Sequence, residues 1–201
     1  MRRMPVLDFW FEFASTYSYP AAMRIGALAR DAGVSVCWRP FLLGPIFASQ
    51  GWDNSPFNIY PAKGRYMWRD LERLCASLDL PFQRPRQFPQ NGLVAARIAL
   101  SALDEGWGEE FIAAVYREQF GEGRVIGDPA VIRDILLNLK RDPKALFERA
   151  QTDEVKGRLR AQTEEAKERG IFGAPSFTTA DGELFWGNDR LEQAIAWAKK
   201  T

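Results

Sequence analysis

The chain has 201 residues, 46% of them hydrophobic and 26% charged, with a formal net charge of +1. That is enough for one domain with a sizeable core, or a small domain carrying a large insertion, and it gives no electrostatic case for binding nucleic acid. There is no histidine, which excludes Ser-His-Asp and Cys-His catalysis and histidine-built zinc sites, and leaves acid–base work to carboxylates, Lys, Tyr or a group brought by a cofactor.

The N-terminus, Met1-Arg2-Arg3-Met4, begins like a signal peptide, but Asp8 and Glu12 interrupt the apolar stretch and no small-residue cleavage site follows. Residues 6–13 place Leu7, Phe9, Phe11 and Phe13 on one side at period two and Asp8, Trp10 and Glu12 on the other, which predicts a strand. A helix follows Ser15-Thr16-Tyr17-Ser18, with Pro20 near its first turn and Gly33 as its stop. Residues 34–39 alternate again and end at Pro40, so the chain opens β-α-β.

A long middle section has helical periodicity and almost no strand signal. Met67, Leu71, Leu74 and Leu78 mark one helix, which is read as the first of the section, and Leu93, Ala96, Leu100 and Leu103 mark another. Residues 110–120 and 153–168 add two more. Asp128-Pro129 and Asp142-Pro143 are cap-and-start signals for a further pair. The Pro-rich residues 81–89 are a connector. Beyond Pro175 an apolar strand, 176–179, turns at Asp181-Gly182 into a second strand, 183–186, and Leu191, Ala194, Ile195 and Ala198 give a final helix.

Neither β-α-β nor β-β-α makes a stable sheet alone; joined, they make a four-stranded mixed sheet. The expected fold is α/β, a thioredoxin-like fold with a large all-helical domain inserted between the second and third strands. The boundaries are 1–40 and 171–201 for the thioredoxin-like domain and 41–170 for the insertion. In that layout the working atom sits where the first strand meets its helix, and unpaired N–H groups favour negative charge there. No CxxC occupies the place, so a protein thiol–disulfide exchange function is not expected. Ser15 there either caps the helix or donates a hydrogen bond to a thiolate supplied by a ligand. Lowering the pKa of a thiol by two units from about 8.5 takes about 2.7 kcal/mol of differential interaction, within reach of a hydroxyl donor plus a helix N-terminus.

The second half of this candidate site is Phe172-Gly173-Ala174-Pro175, with proline before a strand. A cis bond at Pro175 turns the Ala174 N–H and C=O toward the groove, ready for an extended peptide. Trp186-Gly187-Asn188-Asp189-Arg190-Leu191 follows, where Asn188 and Asp189 either cap a helix or receive a charged ligand end. With these stretches, the Phe11-Glu12-Phe13-Ala14-Ser15-Thr16-Tyr17-Ser18-Tyr19 segment and Pro61-Ala62-Lys63-Gly64-Arg65-Tyr66-Met67, the chain resembles the 2-hydroxychromene-2-carboxylate isomerases and kappa-class glutathione transferases over essentially its whole length.

The resemblance implies glutathione as cofactor, with Ser15 the catalytic residue on its sulfur and Ala174, beside Pro175, pairing with the cysteinyl backbone. It implies Asn188 and Asp189 at the γ-glutamyl end, and Asn54 and Lys63 on the peptide or its glycyl carboxylate. The sequence departs from the common pattern at Thr16, where proline usually follows the serine, and at Glu12, where aspartate is frequent. The activity implied is a glutathione-dependent isomerase of an aromatic-derived, chromene-like small molecule. A kappa-like transferase and a non-catalytic glutathione-binding module stand as alternatives, and a homodimer is left open. No apolar run reaches the roughly 18 residues of a membrane span, so no membrane partner is expected. Cys37 and Cys75 are read as inert core thiols and fit a reducing, cytoplasmic setting. Trp52, Tyr60, Tyr66 and Trp68 either line an aromatic pocket or pack the insertion on the sheet. Residues 156–169 read as a solvated helix face.

Overall fold

The computed structural model describes residues 4–200; residues 1–3 of the N-terminal reading, and residue 201, lie outside the described residues. Strand β1 (Val6–Phe11) pairs parallel with β2 (Ser35–Pro40) and antiparallel with β3 (Ser176–Thr179). β3 pairs antiparallel with β4 (Leu184–Trp186), giving the order β2-β1-β3-β4. This is the four-stranded mixed sheet expected from joining the two ends of the chain. Helix α1 (Ser18–Ala32) links β1 to β2 and stops at Gly33, whose φ of 70° is left-handed and whose N–H reaches the carbonyls of Ala29 and Arg30.

Between β2 and β3 run α2 (Leu43–Ser49), α3 (Pro56–Ile59), α4 (Pro61–Ser77), α5 (Leu93–Asp104), α6 (Gly108–Tyr116), α7 (Pro129–Asn138), α8 (Pro143–Ala150) and α9 (Asp153–Glu168), and α10 (Leu191–Ala198) ends the fold. The cap signals hold: the Asp128 carboxylate accepts from the Ala130 N–H, that of Asp142 from Lys144 and Ala145, and the Thr152 hydroxyl from Val155.

Three expectations need correction. Two short helices, α2 and α3, precede the helix read as first in the insertion, so Lys63 lies in the first turn of α4. The helix expected over 110–120 is α6 from Gly108, passing after Tyr116 into a π turn, Arg117–Gly121. Strand β1 stops at Phe11, and the chain then turns, the Ser15 N–H meeting the Glu12 carbonyl at 2.9 Å.

As an interior strand, β1 is buried on both faces. Leu7, Phe9 and Phe11, with Phe13 beyond the strand, join a core that includes Trp38, Phe177 and Tyr116, and Phe9 stacks on Phe177 with ring centroids 5.4 Å apart. On the other face Trp10 packs with Phe41, Ile46, Ala166 and Ile171. Its indole N–H is satisfied by the Thr178 hydroxyl at 3.0 Å. Each such fully buried aromatic contributes roughly 1.5–3 kcal/mol, which fixes the strand that leads into the site.

Candidate functional site

The turn after β1 opens onto a cleft of about 910 Å³. Its wall combines residues 12 and 14–17 with parts of α2, residues 52–57, Lys63, residues 88–93, Phe172, Gly173, Ala174, Trp186 and Gly187. Ser15, Asn54, Lys63 and Ala174 are thus brought together. Pro175, Asn188 and Asp189 stand outside the residues that line the cleft, next to ones that do.

The Ser15 hydroxyl joins the two ends of the chain. It donates to the Ala174 carbonyl at 2.9 Å and accepts from the Ser18 N–H at 3.2 Å. The capping and donor readings are therefore not exclusive, because one hydroxyl has one proton and two lone pairs. Accepting the α1 amide polarises the O–H, and rotation about Cβ–Oγ re-aims the proton at another acceptor in the cleft. The Ala174–Pro175 peptide is cis, as expected, and so is Phe88–Pro89. Thr16, the departure from the family pattern, lines the cleft but is 1% exposed, and its hydroxyl donates to Met67 Sδ at 3.2 Å, which joins the turn to α4.

Asn54 spends its Oδ1 locally, accepting from the Ser55 N–H at 2.7 Å and Asn58 Nδ2 at 3.0 Å; its own Nδ2 is left to donate to a ligand. Lys63 lies with Nζ 4.9 Å from the Tyr60 ring centroid, and no carboxylate pairs with it among the described residues. Gly64 lets α3 fold back on α4, since a Cβ there would collide with the Phe57 carbonyl. Asn188 is 5% exposed, and its Oδ1 accepts from Arg24 Nη2 at 3.0 Å, which ties the last turn to α1. The Asp189 side chain is 74% exposed and sits 3.4 Å from Arg190 Nη1.

Of the four aromatics singled out in the sequence, Trp52 lines the cleft; Trp68 is a core side chain, and Tyr60 and Tyr66 are exposed. The apolar wall comes instead from Phe47, Phe57, Phe88 and the rim pair Phe172 and Trp186, whose ring centroids are 5.0 Å apart. Tyr17 also lines it, its hydroxyl donating to Asp70 Oδ2 at 2.9 Å, and burial together with that carboxylate holds its phenol well above the usual range. Cys75 is buried, which pushes its thiol up to about 11; Cys37 is half-buried and its thiol is also raised, chiefly by burial. Both are poor nucleophiles in this state.

Sequence reasoning missed Glu12 as a functional group. It lines the cleft, is 6% exposed, and accepts from the Leu43 N–H at 2.9 Å and the Ala14 N–H at 3.4 Å. Burial lifts its carboxyl from 4.5 to about 7, against the pull of the backbone N–H groups of Leu43, Ala14 and Phe13. The signal available was a carboxylate three residues before the serine at the end of an apolar strand.

A four-stranded mixed sheet, helices inserted between its second and third strands and a cis proline facing the first helix define a thioredoxin-like protein whose usual cysteine place is held by serine. The family model for the DSBA-like thioredoxin domain matches residues 6–195. The chain belongs to this DSBA-like family, in the branch that holds the 2-hydroxychromene-2-carboxylate isomerases and the kappa-class glutathione transferases. It is 32% identical to a 2-hydroxychromene-2-carboxylate isomerase of Sphingobium xenophagum over 92% of this chain and 94% of that one. With glutathione S-transferase kappa 2 of Caenorhabditis elegans it shares 26% identity, over 96% of this chain and 91% of that one. A solved 2-hydroxychromene-2-carboxylate isomerase superposes with a TM-score of 0.84 at 25% identity, covering 97% of this chain and 95% of that one. Among the described residues no helix is long and apolar enough to cross a membrane.

Proposed function

We propose that the chain is a glutathione-dependent isomerase of 2-hydroxychromene-2-carboxylate type. The observation that carries this reading is the Ser15 hydroxyl, held between the α1 amide of Ser18 and the Ala174 carbonyl beside an aromatic-walled cleft of about 910 Å³. The donor set suits a thiol-bearing peptide: a hydroxyl and a helix N-terminus for sulfur, a backbone edge for an extended chain, and an amide and an ammonium for a carboxylate. In this reading Ser15 holds the sulfur and Ala174 the cysteinyl backbone. Asn54 and Lys63 take the peptide or its glycyl carboxylate, and Asn188 with Asp189 takes the γ-glutamyl end.

Glutathione supplies the nucleophile, a thiolate that adds to a conjugated substrate and leaves again, which the chain's own two raised thiols do not offer. The protein binds, lowers the thiol pKa and orients. The cleft's aromatic rings hold a bicyclic substrate and keep water from it, and Lys63 is placed to attract its carboxylate. The names of the relatives support both an isomerase and a transferase. The isomerase is favoured because it is the name of the relative at 32% identity and of the solved structure at a TM-score of 0.84.

The test is turnover of 2-hydroxychromene-2-carboxylate with total glutathione followed alongside. Isomerisation at constant total glutathione is the expected result. Consumption of glutathione replaces the reading with a transferase, and binding without turnover leaves a binding module. No heat and no competition at millimolar glutathione overturn it altogether.

A further inference from the structure

Glu12 is a carboxyl in an apolar cleft with no cationic partner among the described residues. Its acceptors meet the Leu43 N–H at the start of α2 and the Ala14 N–H. Gly92, the residue before α5, lies beside the carboxyl, and a Cβ there would lie 3.5 Å from Oε1. From α6 comes Tyr116, whose hydroxyl donates to the Glu12 carbonyl at 2.9 Å and is held well above its usual range by burial. The other titratable groups of the cleft are Tyr17, committed to Asp70, and the exposed Asp53 and Lys63.

Capping α2 accounts for the two backbone contacts but not for an ionisable group, since an amide oxygen accepts an N–H equally well. Three residues from Ser15, in a chain without histidine, this carboxyl stands where the substrate of the proposed reaction must sit. That substrate is a cyclic hemiketal: C2 carries the ring oxygen, a hydroxyl and the carboxylate. Opening it makes a phenol from the ring oxygen, and a phenol with a pKa near 10 leaves poorly at neutral pH without a proton donor.

We propose that Glu12 is the proton carrier of the ring-opening step. The C2–O1 bond breaks with its electron pair going to O1, which takes the Glu12 proton and becomes the phenol. The C2 hydroxyl becomes the keto carbonyl, and its proton passes to the Glu12 carboxylate. The carboxyl is thereby regenerated and no further reactant is consumed. A carboxyl raised by burial to about 7 matches the ideal of an acid whose pKa lies near the working pH. The inference rests on the isomerase reading above and adds to it a group of this chain that acts on substrate oxygen and not on sulfur.

The experiment compares wild type, Glu12→Gln and Glu12→Asp. Glu12→Gln keeps an acceptor for the backbone N–H groups, so glutathione is expected to bind within a few-fold of wild type. Its kcat should fall about a hundredfold and lose the descending limb above pH 7, the usual scale for removing a general acid; Glu12→Asp should restore part of the rate together with that limb. A readout independent of turnover is calorimetry of unreactive chroman-2-carboxylate near pH 7.5 in buffers of different ionisation heat. Wild type should take up a proton on binding, because an apolar, anionic ligand favours neutral Glu12, and Glu12→Gln should not. If Glu12→Gln retains the wild-type kcat and pH limb, or both proteins take up the same number of protons, the assignment is wrong while the isomerase reading stands. If wild type does not isomerise the chromene, both fall together.

Discussion

Replacing Glu12 by glutamine should make the folded chain more stable at pH 8.5 and leave it nearly unchanged at pH 4.5. Burial lifts this carboxyl from 4.5 to about 7, so between those values the folded state holds a proton that the unfolded chain has released. Stability therefore falls as the pH rises through the window. At about 1.4 kcal/mol for each pH unit, the penalty is absent below 4.5 and reaches about 3 kcal/mol above pH 7. The carboxyls held low by hydrogen bonds, Asp104, Glu105, Asp134 and Asp181, act at the acid end, where their contribution is lost as pH falls. Tyr19 and Cys75, raised to about 12 and 11 by burial, act at the alkaline end. Urea unfolding followed by tryptophan fluorescence, run on both proteins from pH 4.5 to 8.5, should give curves that meet at the acid end and diverge by about 3 kcal/mol at the other. Parallel curves would refute the reasoning, for they would mean that the Leu43 and Ala14 amides offset the whole cost of burying the charge.

Ser15→Ala should lose about 1 kcal/mol of stability with its two hydrogen bonds. It should bind glutathione within a few-fold at a pH where the thiol is neutral, and slow the neutral-pH reaction roughly tenfold for each unit by which the bound thiol's pKa rises; an unchanged ultraviolet titration of the thiolate contradicts this. Asp189→Ala should weaken glutathione binding by only about 1 kcal/mol, because its side chain is 74% exposed and screened, and calorimetry reads the difference. Gly64→Ala drives a Cβ into the Phe57 carbonyl, so a stability loss of roughly 1–3 kcal/mol is expected. A weaker glutathione site should accompany it as the corner holding Asn54 and Lys63 shifts, and a melting curve and binding isotherm equal to wild type would count against the α3–α4 packing.

The sheet was legible because its strands announce themselves by period two at one end and by a Gly-marked hairpin at the other. The long helices were legible because Asp-Pro starts and apolar spacing repeat the same message. Helix α2 was not, since Leu43-Gly44-Pro45 reads as a turn and the N–H of Leu43 finds its acceptor in Glu12, distant in sequence. Glu12 itself was read as the polar side of a strand, but β1 is interior and α2 covers that side, with Ile46 packed against Trp10, so alternation no longer separated buried from solvated. The aromatic wall failed for a related reason. Trp68 faces the core because α4 buries it with Met67 and Leu71, and nothing in the local sequence distinguishes that from facing a ligand. Ser15 and Ala174 were singled out by motif, and the fold joins them by a hydrogen bond that no local pattern announces.

The hydrogen bond from Ser15 to Ala174 joins residues 159 positions apart. At the usual pace of synthesis, about 5–20 residues per second, roughly 8–30 s separate the appearance of one partner from that of the other at the ribosome. During that interval β1 has β2 beside it, but its other edge waits for β3, which carries Phe177 to Phe9. The nascent chain thus emerges with an apolar strand half-paired and with half of the cleft wall, which is completed only near the end of translation. A chain that stops before β3 therefore lacks the Ala174 side of the cleft, however much of the helical insertion has already been made.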